Sequence, residues 1–209
     1  MQQFLFIAAA HFLALLSPGP DFFLIARTSL AAGWRVASGA CLGIALANAL
    51  FIVAAFAGTA ALQPGSELFV ALQLAGCAYL LYLGVLFLRH AGSTPLEVVD
   101  TPATAPRLDA WWRAAGMGFL SGILNPKNAL FYVSLAAMLT PPHTSAGWKL
   151  LYGIWMFAVV LLWDLLVALL IGNQAVLSRF TRALPWLERT SGIALILLAL
   201  GVLALLGLR

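Results

Sequence analysis

Ser17-Pro18-Gly19-Pro20-Asp21 interrupts an apolar run that starts near Phe4 and ends near Arg27. A run of that length suits a membrane-spanning helix, yet two prolines, a glycine and a carboxylate stand near its middle. Proline removes a backbone donor and clashes with the preceding turn, and glycine loosens the backbone further. A kink or break is therefore expected here. In lipid, freed carbonyls and a carboxylate persist only where they face protein or a water-filled cavity. Asn125-Pro126-Lys127-Asn128 disturbs a second apolar run in the same way.

The rest of the chain fits a membrane setting. Of its 209 residues, 63% are hydrophobic and only 9% charged, against roughly 25% charged in soluble domains. Mean hydropathy is +1.01. The net charge of +4 fits cytoplasmic loop charges. No basic face or aromatic platform suggests nucleic acid binding. Cys41 and Cys77 lie in separate apolar segments without metal-ligand or CxxC spacing, so they read as small packing residues. The first apolar stretch has no positive n-region and no cleavage site after it. It is read as a retained span and not a leader peptide.

Six spans are expected: residues 4–28, 36–62, 68–88, 114–140, 148–172 and 190–208. Residues 91–110, rich in Pro, Ser and Thr, read as a surface linker. A loop carrying Arg179 and Arg182 is expected before the sixth span. Trp111 and Trp112 read as interfacial anchors. The loops after spans one, three and five hold Arg27, Arg35, Arg89, Arg107, Arg113, Arg179 and Arg182, whereas the other side holds only Lys149 and Arg209. That asymmetry puts both termini outside the cytoplasm.

The two halves also resemble each other. Leu16-Ser17-Pro18 aligns with Leu124-Asn125-Pro126, Ala32-Gly33-Trp34-Arg35 with Ala146-Gly147-Trp148-Lys149, and Leu83-Gly84-Val85-Leu86 with Leu200-Gly201-Val202-Leu203. Three spans per half is an odd number, so the second half must be inserted inverted. The expected fold is an all-α membrane protein with a 3+3 inverted repeat, helices one and four broken at their prolines. Residues 1–90 form the first repeat, 91–110 a cytoplasmic linker and 111–209 the second repeat. Paired broken helices in inverted repeats are a transporter architecture with its binding site near the bilayer midplane.

Asp21, Asn48, Lys127 and Asp164 fall at similar depth on four different spans. Intramembrane ionisable groups mark functional sites by default. Asp21 reads as a proton-coupling carboxylate or a partner for a substrate ammonium, with a structural pair to Lys127 as the plainer alternative. Lys127 reads as a carboxylate-binding cation beside the broken backbone, or as a counter-ion. Asp164 is either a proton carrier or a structural tie to Lys127. Asn48 contacts substrate or bridges two helices. Asn125 and Asn128 are expected to cap the broken helix. Ser17, Pro18, Gly19, Pro20 and Pro126 form the breaks and border the site. His11 reads as a packed or interface group. Gly39, Gly43, Gly118 and Gly122 form GxxxG pairs that pack within one subunit or, alternatively, form a homodimer face.

The SPGPD and NPKN motifs, the Ala-Gly-Trp-Arg turn, the six-span layout and the long linker resemble the LysE/RhtB family of amino-acid exporters. The resemblance covers nearly the whole chain and carries over onto Pro18, Gly19, Pro20, Asp21, Asn125, Pro126 and Lys127. It implies export of amino acids or close derivatives across the bacterial inner membrane, driven by protons, with no catalytic residues and no cofactor. Two carboxylates facing one lysine, with one carboxylate assigned to protons, favour a neutral amino acid. Two other classes stand as alternatives. A metal-ion exporter wants clustered ligands, and one Lys with two separated Asp is a poor cage. A thiol-disulfide electron carrier wants facing cysteines, and Cys41 and Cys77 both lie in the first half.

Overall fold

The expected first span is two helices in the structure, a computed structural model that describes residues 2–16, 19–60, 66–92, 107–139, 145–171 and 174–207. Helix α1 (Gln2–Leu15) and helix α2 (Pro20–Ala32) meet at 53°. Pro20 is the first residue of α2, where its missing N–H costs nothing and its fixed φ suits a helix start. Gly33 alone turns the chain into α3 (Trp34–Ala60). Its φ of +84° needs a glycine, and its N–H closes α2 on the Ser29 carbonyl at 2.9 Å. Helix α4 (Glu67–His90) is capped by Ser66, whose Oγ accepts from the Phe69 N–H at 3.2 Å.

The second half repeats the interruption. Helix α5 (Arg107–Leu124) and helix α6 (Pro126–Leu139) are separated only by Asn125. Helix α7 (Ala146–Ile171) and helix α8 (Gln174–Gly207) follow. All regular structure among the described residues is helical. Four helices, α3, α4, α7 and α8, contain spans long and apolar enough to cross a membrane, and the bent α1–α2 pair makes a fifth. Leu50, Val53, Leu162 and Leu197 lie more than half exposed on their outer faces. Water would not tolerate that surface, but lipid does.

Two boundaries differ from expectation. Residues 107–110 belong to the first turns of α5 and not to the linker. The segment holding Arg179 and Arg182 is no loop: α8 runs through it and through Pro185. Leu184, Glu188, Ser191, Leu195 and Ala199 are all buried on this helix. Their steps of three and four residues keep them on one helical face. The polar segment is thus an amphipathic extension of the last helix. Glu188, expected near a loop, is buried and accepts the Gly92 N–H at 2.9 Å, which ties the end of α4 to α8.

The glycine pairs are used inside the chain. A Cβ on Gly39 or Gly43 would run into the carbonyls of Trp111 or Ala115, and one on Gly118 into the backbone of Ala40. One on Gly122 would stand 2.7 Å from the Ala47 Cβ. Helices α3 and α5 therefore lie backbone to backbone. Helices α4 and α8 approach closely too, through Gly84 and Gly192.

A small apolar cluster at Val36, Ala40 and Ala114 and two larger ones are buried among the described residues. One gathers Ile7, Ala10, Ile52, Phe131, Leu135 and Met156, on the side of α1 and α6. The other gathers Ile25, Ala37, Cys41, Ile44, Val167 and Ile171, on the side of α2. Cys77 belongs to the first cluster and Cys41 to the second. They are buried apart, as free thiols. Ala14, Phe131 and Tyr132 of the first cluster and Ile44 and Val160 of the second line one cavity.

Candidate functional site at the helix breaks

The break after α5 is closed by its own asparagines. Asn125 Oδ1 accepts the Lys127 backbone N–H at 3.1 Å, capping α6 as its residue type suggests. Asn128 does something else. Its side-chain amide reaches back to the Gly122 carbonyl at 3.4 Å and forward to Asp21 at 2.7 Å. The expectation that Asn128 caps the helix with its oxygen is thus corrected. A residue three positions into the helix can aim its amide at the carbonyl freed at the end of α5.

Asp21, in the first turn of α2, is where both breaks meet. Its Oδ1 accepts from Ser121 Oγ at 2.6 Å. Its Oδ2 accepts from Asn125 at 3.1 Å and from Asn128 at 2.7 Å. The carboxylate also stands at the positive end of the α2 dipole. Lys127 makes the reverse link. Its Nζ donates to the Ala14 carbonyl at 3.3 Å, near the end of α1, and lies 5.1 Å over the Phe87 ring. A cation at a helix C-terminus is favoured by the dipole. Tyr79 of α4 donates to the Lys127 carbonyl at 3.3 Å. Each broken helix thus carries a charge that satisfies the other.

Between the breaks lies a small, partly open cavity of about 60 Å³, below the ~300–1,000 Å³ range of small-molecule sites, so a substrate has to widen it. Its wall includes Gly19, Asp21, Asn48, Asn125, Lys127, Asn128 and Asp164, so residues from α2, α3, α6 and α7 converge. Pro20 is exposed on α2 and stands off this wall. Pro126 opens α6. Ser17 and Pro18 lie outside the described residues.

The ring-bearing wall residues His11, Phe22, Phe131, Tyr132 and Trp163 were not singled out as ligands from sequence. His11 is packed, as expected, with Nε2 3.0 Å from the Tyr132 hydroxyl, but it also borders the cavity. Nothing local in the sequence pairs positions 11 and 132. Ser121 was missed as well, although it precedes Asn125 by one helical turn. Of the buried polar atoms on the wall, His11 Nδ1, Asn48 Oδ1 and Asp164 Oδ2 have no hydrogen-bond partner. No three His, Cys, Asp or Glu side chains gather in metal-ligand geometry among the described residues.

An all-helical, multi-pass membrane protein with a polar cavity between interrupted helices is the class this fold and site define. The chain belongs to the LysE type translocator family, whose model matches residues 12–206. It is 28% identical to the threonine efflux protein of Escherichia coli K12, over 92% of this chain and 93% of that one. It is 32% identical to the chemotactic transduction protein ChpE of Pseudomonas aeruginosa, over 92% of each chain. It is 30% identical to the leucine efflux protein of Salmonella choleraesuis, over 70% of this chain and 68% of that one. No solved structure matches the chain.

Proposed function

We propose that the protein exports a neutral amino acid, or a close derivative, from the cytoplasm across the bacterial inner membrane by proton-driven alternating access. The observation that carries this reading is the convergence of Asp21, Asn48, Lys127 and Asp164 on one cavity at the two helix breaks. A zwitterion needs both charges met, and the cavity offers one cation and two carboxylates. The substrate carboxylate meets Lys127 and the N-terminal backbone of α6. Its ammonium meets Asp21 or Asp164, and protonation of that carboxylate from outside weakens the hold. Efflux relatives for threonine and leucine support the substrate class.

The architecture proposed is six spans in two inverted repeats, residues 1–90 and 107–209, joined by a cytoplasmic linker at 91–106. In it α1–α2 corresponds to α5–α6, α3 to α7 and α4 to α8. Helix α3 packs on α7 and α4 on α8, each against its proposed counterpart, which is compatible with an axis between the halves. Both termini lie on the periplasmic side.

Reconstituted vesicles test the reading. Protein in liposomes loaded with labelled neutral amino acids should release or exchange them when a proton gradient is imposed. Lys127→Ala should abolish this, and an uncoupler should remove the drive. Gradient-driven movement of a divalent metal ion, and of no amino acid, would overturn it.

A further inference from the structure

A cavity of about 60 Å³ has to widen before an amino acid fits, so one of its walls must give. The wall toward α5 has little slack, because Asp21 accepts from Ser121, Asn125 and Asn128 there. Another wall is built differently. Tyr132 of α6 stands between the cavity and a second void of about 10 Å³, which also touches Ile7, Ile52, Leu135 and Met156. An apolar void of that size stays dry, and its lining lacks contacts on one side. Ile52 and Phe56, on the wall of this void, also line an open apolar groove of about 420 Å³ beside Lys149 and Leu150. Two layers of side chains, Tyr132 and then Ile52 with Phe56, therefore separate the polar cavity from the surface near the start of α7.

The inner layer is held by a hydrogen bond. The Tyr132 hydroxyl lies 3.0 Å from His11 Nε2 of α1. His11 is wedged in turn against the rings of Phe131 and, on α7, Trp155, with centroids 6.1 and 5.7 Å away. Helices α1 and α6 are the short helices that the breaks separate from α2 and α5, and this bond joins them across 121 positions of sequence. Both partners are buried. Broken in place, the bond would leave a donor and an acceptor unmet at the full cost of desolvation. It can open only when water reaches both groups, and an opened route to the surface supplies that water.

We propose that Tyr132 is the gating residue of the export route toward the Gly147 end of the molecule, and that His11 positions it by latching α1 to α6. With the latch made, the ring seals the cavity. With it released, the ring moves toward the void and the cavity joins the surface past Ile52 and Phe56. The inference rests on the exporter reading and adds the side and the residue through which cargo leaves. In the proposed orientation that side is periplasmic.

Thiol accessibility tests the gate. Ala14→Cys places a reporter on the cavity wall, in a chain whose native thiols are buried. A membrane-impermeant maleimide is applied from the face on which Gly147→Cys reacts. The reporter should react slowly when it is the sole substitution. Adding Tyr132→Ala, which removes the ring, should speed the reaction about tenfold or more. Tyr132→Phe keeps the ring and loses only the latch, so it should give a rise of about threefold to tenfold, the weight of one buried hydrogen bond in the opening equilibrium. His11→Phe, which removes the other partner, should do the same. Leu195→Ala also removes bulk from the same apolar cluster, but on α8 and off both cavities. It should melt lower yet leave the rate within about twofold of the parent. If Tyr132→Ala fails to fold, Tyr132→Phe decides. Unchanged rates in the Tyr132 variants, or an equal rise in Leu195→Ala, overturn the gate whether or not the protein exports. A protein that moves no amino acid in vesicles overturns the exporter reading, and the reactivity pattern still decides whether Tyr132 closes this route.

Discussion

Asn125 holds two ends of the site at once. Its oxygen caps α6 and its amide donates to Asp21. Asn125→Ala should therefore lose a cap and a charge-assisted hydrogen bond together, about 1–3 kcal/mol of stability read from thermal melts in detergent. Asn125→Asp should keep the cap but set a second carboxylate against Asp21, and it should melt below Asn125→Ala at neutral pH. At this scale the sequence was informative where a residue was anomalous for its setting. A carboxylate, a lysine and two asparagines inside apolar runs announce themselves because lipid penalises them. Partnership was not legible. Ser121, Asn125 and Asn128 meet Asp21 from about a hundred positions away, and His11 finds Tyr132 from farther still. Side-chain pairing at that separation depends on how helices cross, which no local pattern encodes.

The helix breaks follow from proline chemistry and could be placed within a residue or two, because Pro20 and Pro126 each begin a helix. Helix α8 went the other way. Arginines and a proline suggested a loop, but the buried face from Leu184 to Ala199 kept the helix intact. Packing on one face outweighed the local signals. The glycine pairs had two readings, and close approach of α3 to α5 within the chain decides between them. This contact makes a sharp prediction. Gly43→Ala and Gly118→Ala press a methyl onto opposing backbone, which cannot rotate away, so each should cost on the order of 1–3 kcal/mol or more and reduce folded yield. Gly116→Ala, on the same helix α5 with open space around it, should be neutral or stabilising by about 0.5–1 kcal/mol. Melting temperatures of the three variants provide the comparison.

Across the whole molecule, the polar cavity lies where two apolar clusters meet. The proposed inverted arrangement predicts that a thiol at Gly147→Cys reacts with a membrane-impermeant reagent on intact cells. A thiol at Ala31→Cys should react only after permeabilisation. Both positions are exposed, and the native thiols are buried and silent. Reaction of both from the same side would remove the inverted orientation. Three short matches pointed to a likeness of the two halves, but no local pattern says how the halves are assembled, and that bears on movement. Helix α3 comes from the first half and α5 from the second, yet at Gly39, Gly43 and Gly118 they are seated backbone against backbone. That makes them a shared keel. If the halves tipped as separate blocks, the keel would have to split, and two backbones in contact offer no slack for sliding. Opening would run instead through the short arms α1 and α6, which the helix breaks separate from α2 and α5. The machine would then work less like a rocker than like a pair of oars on a fixed hull.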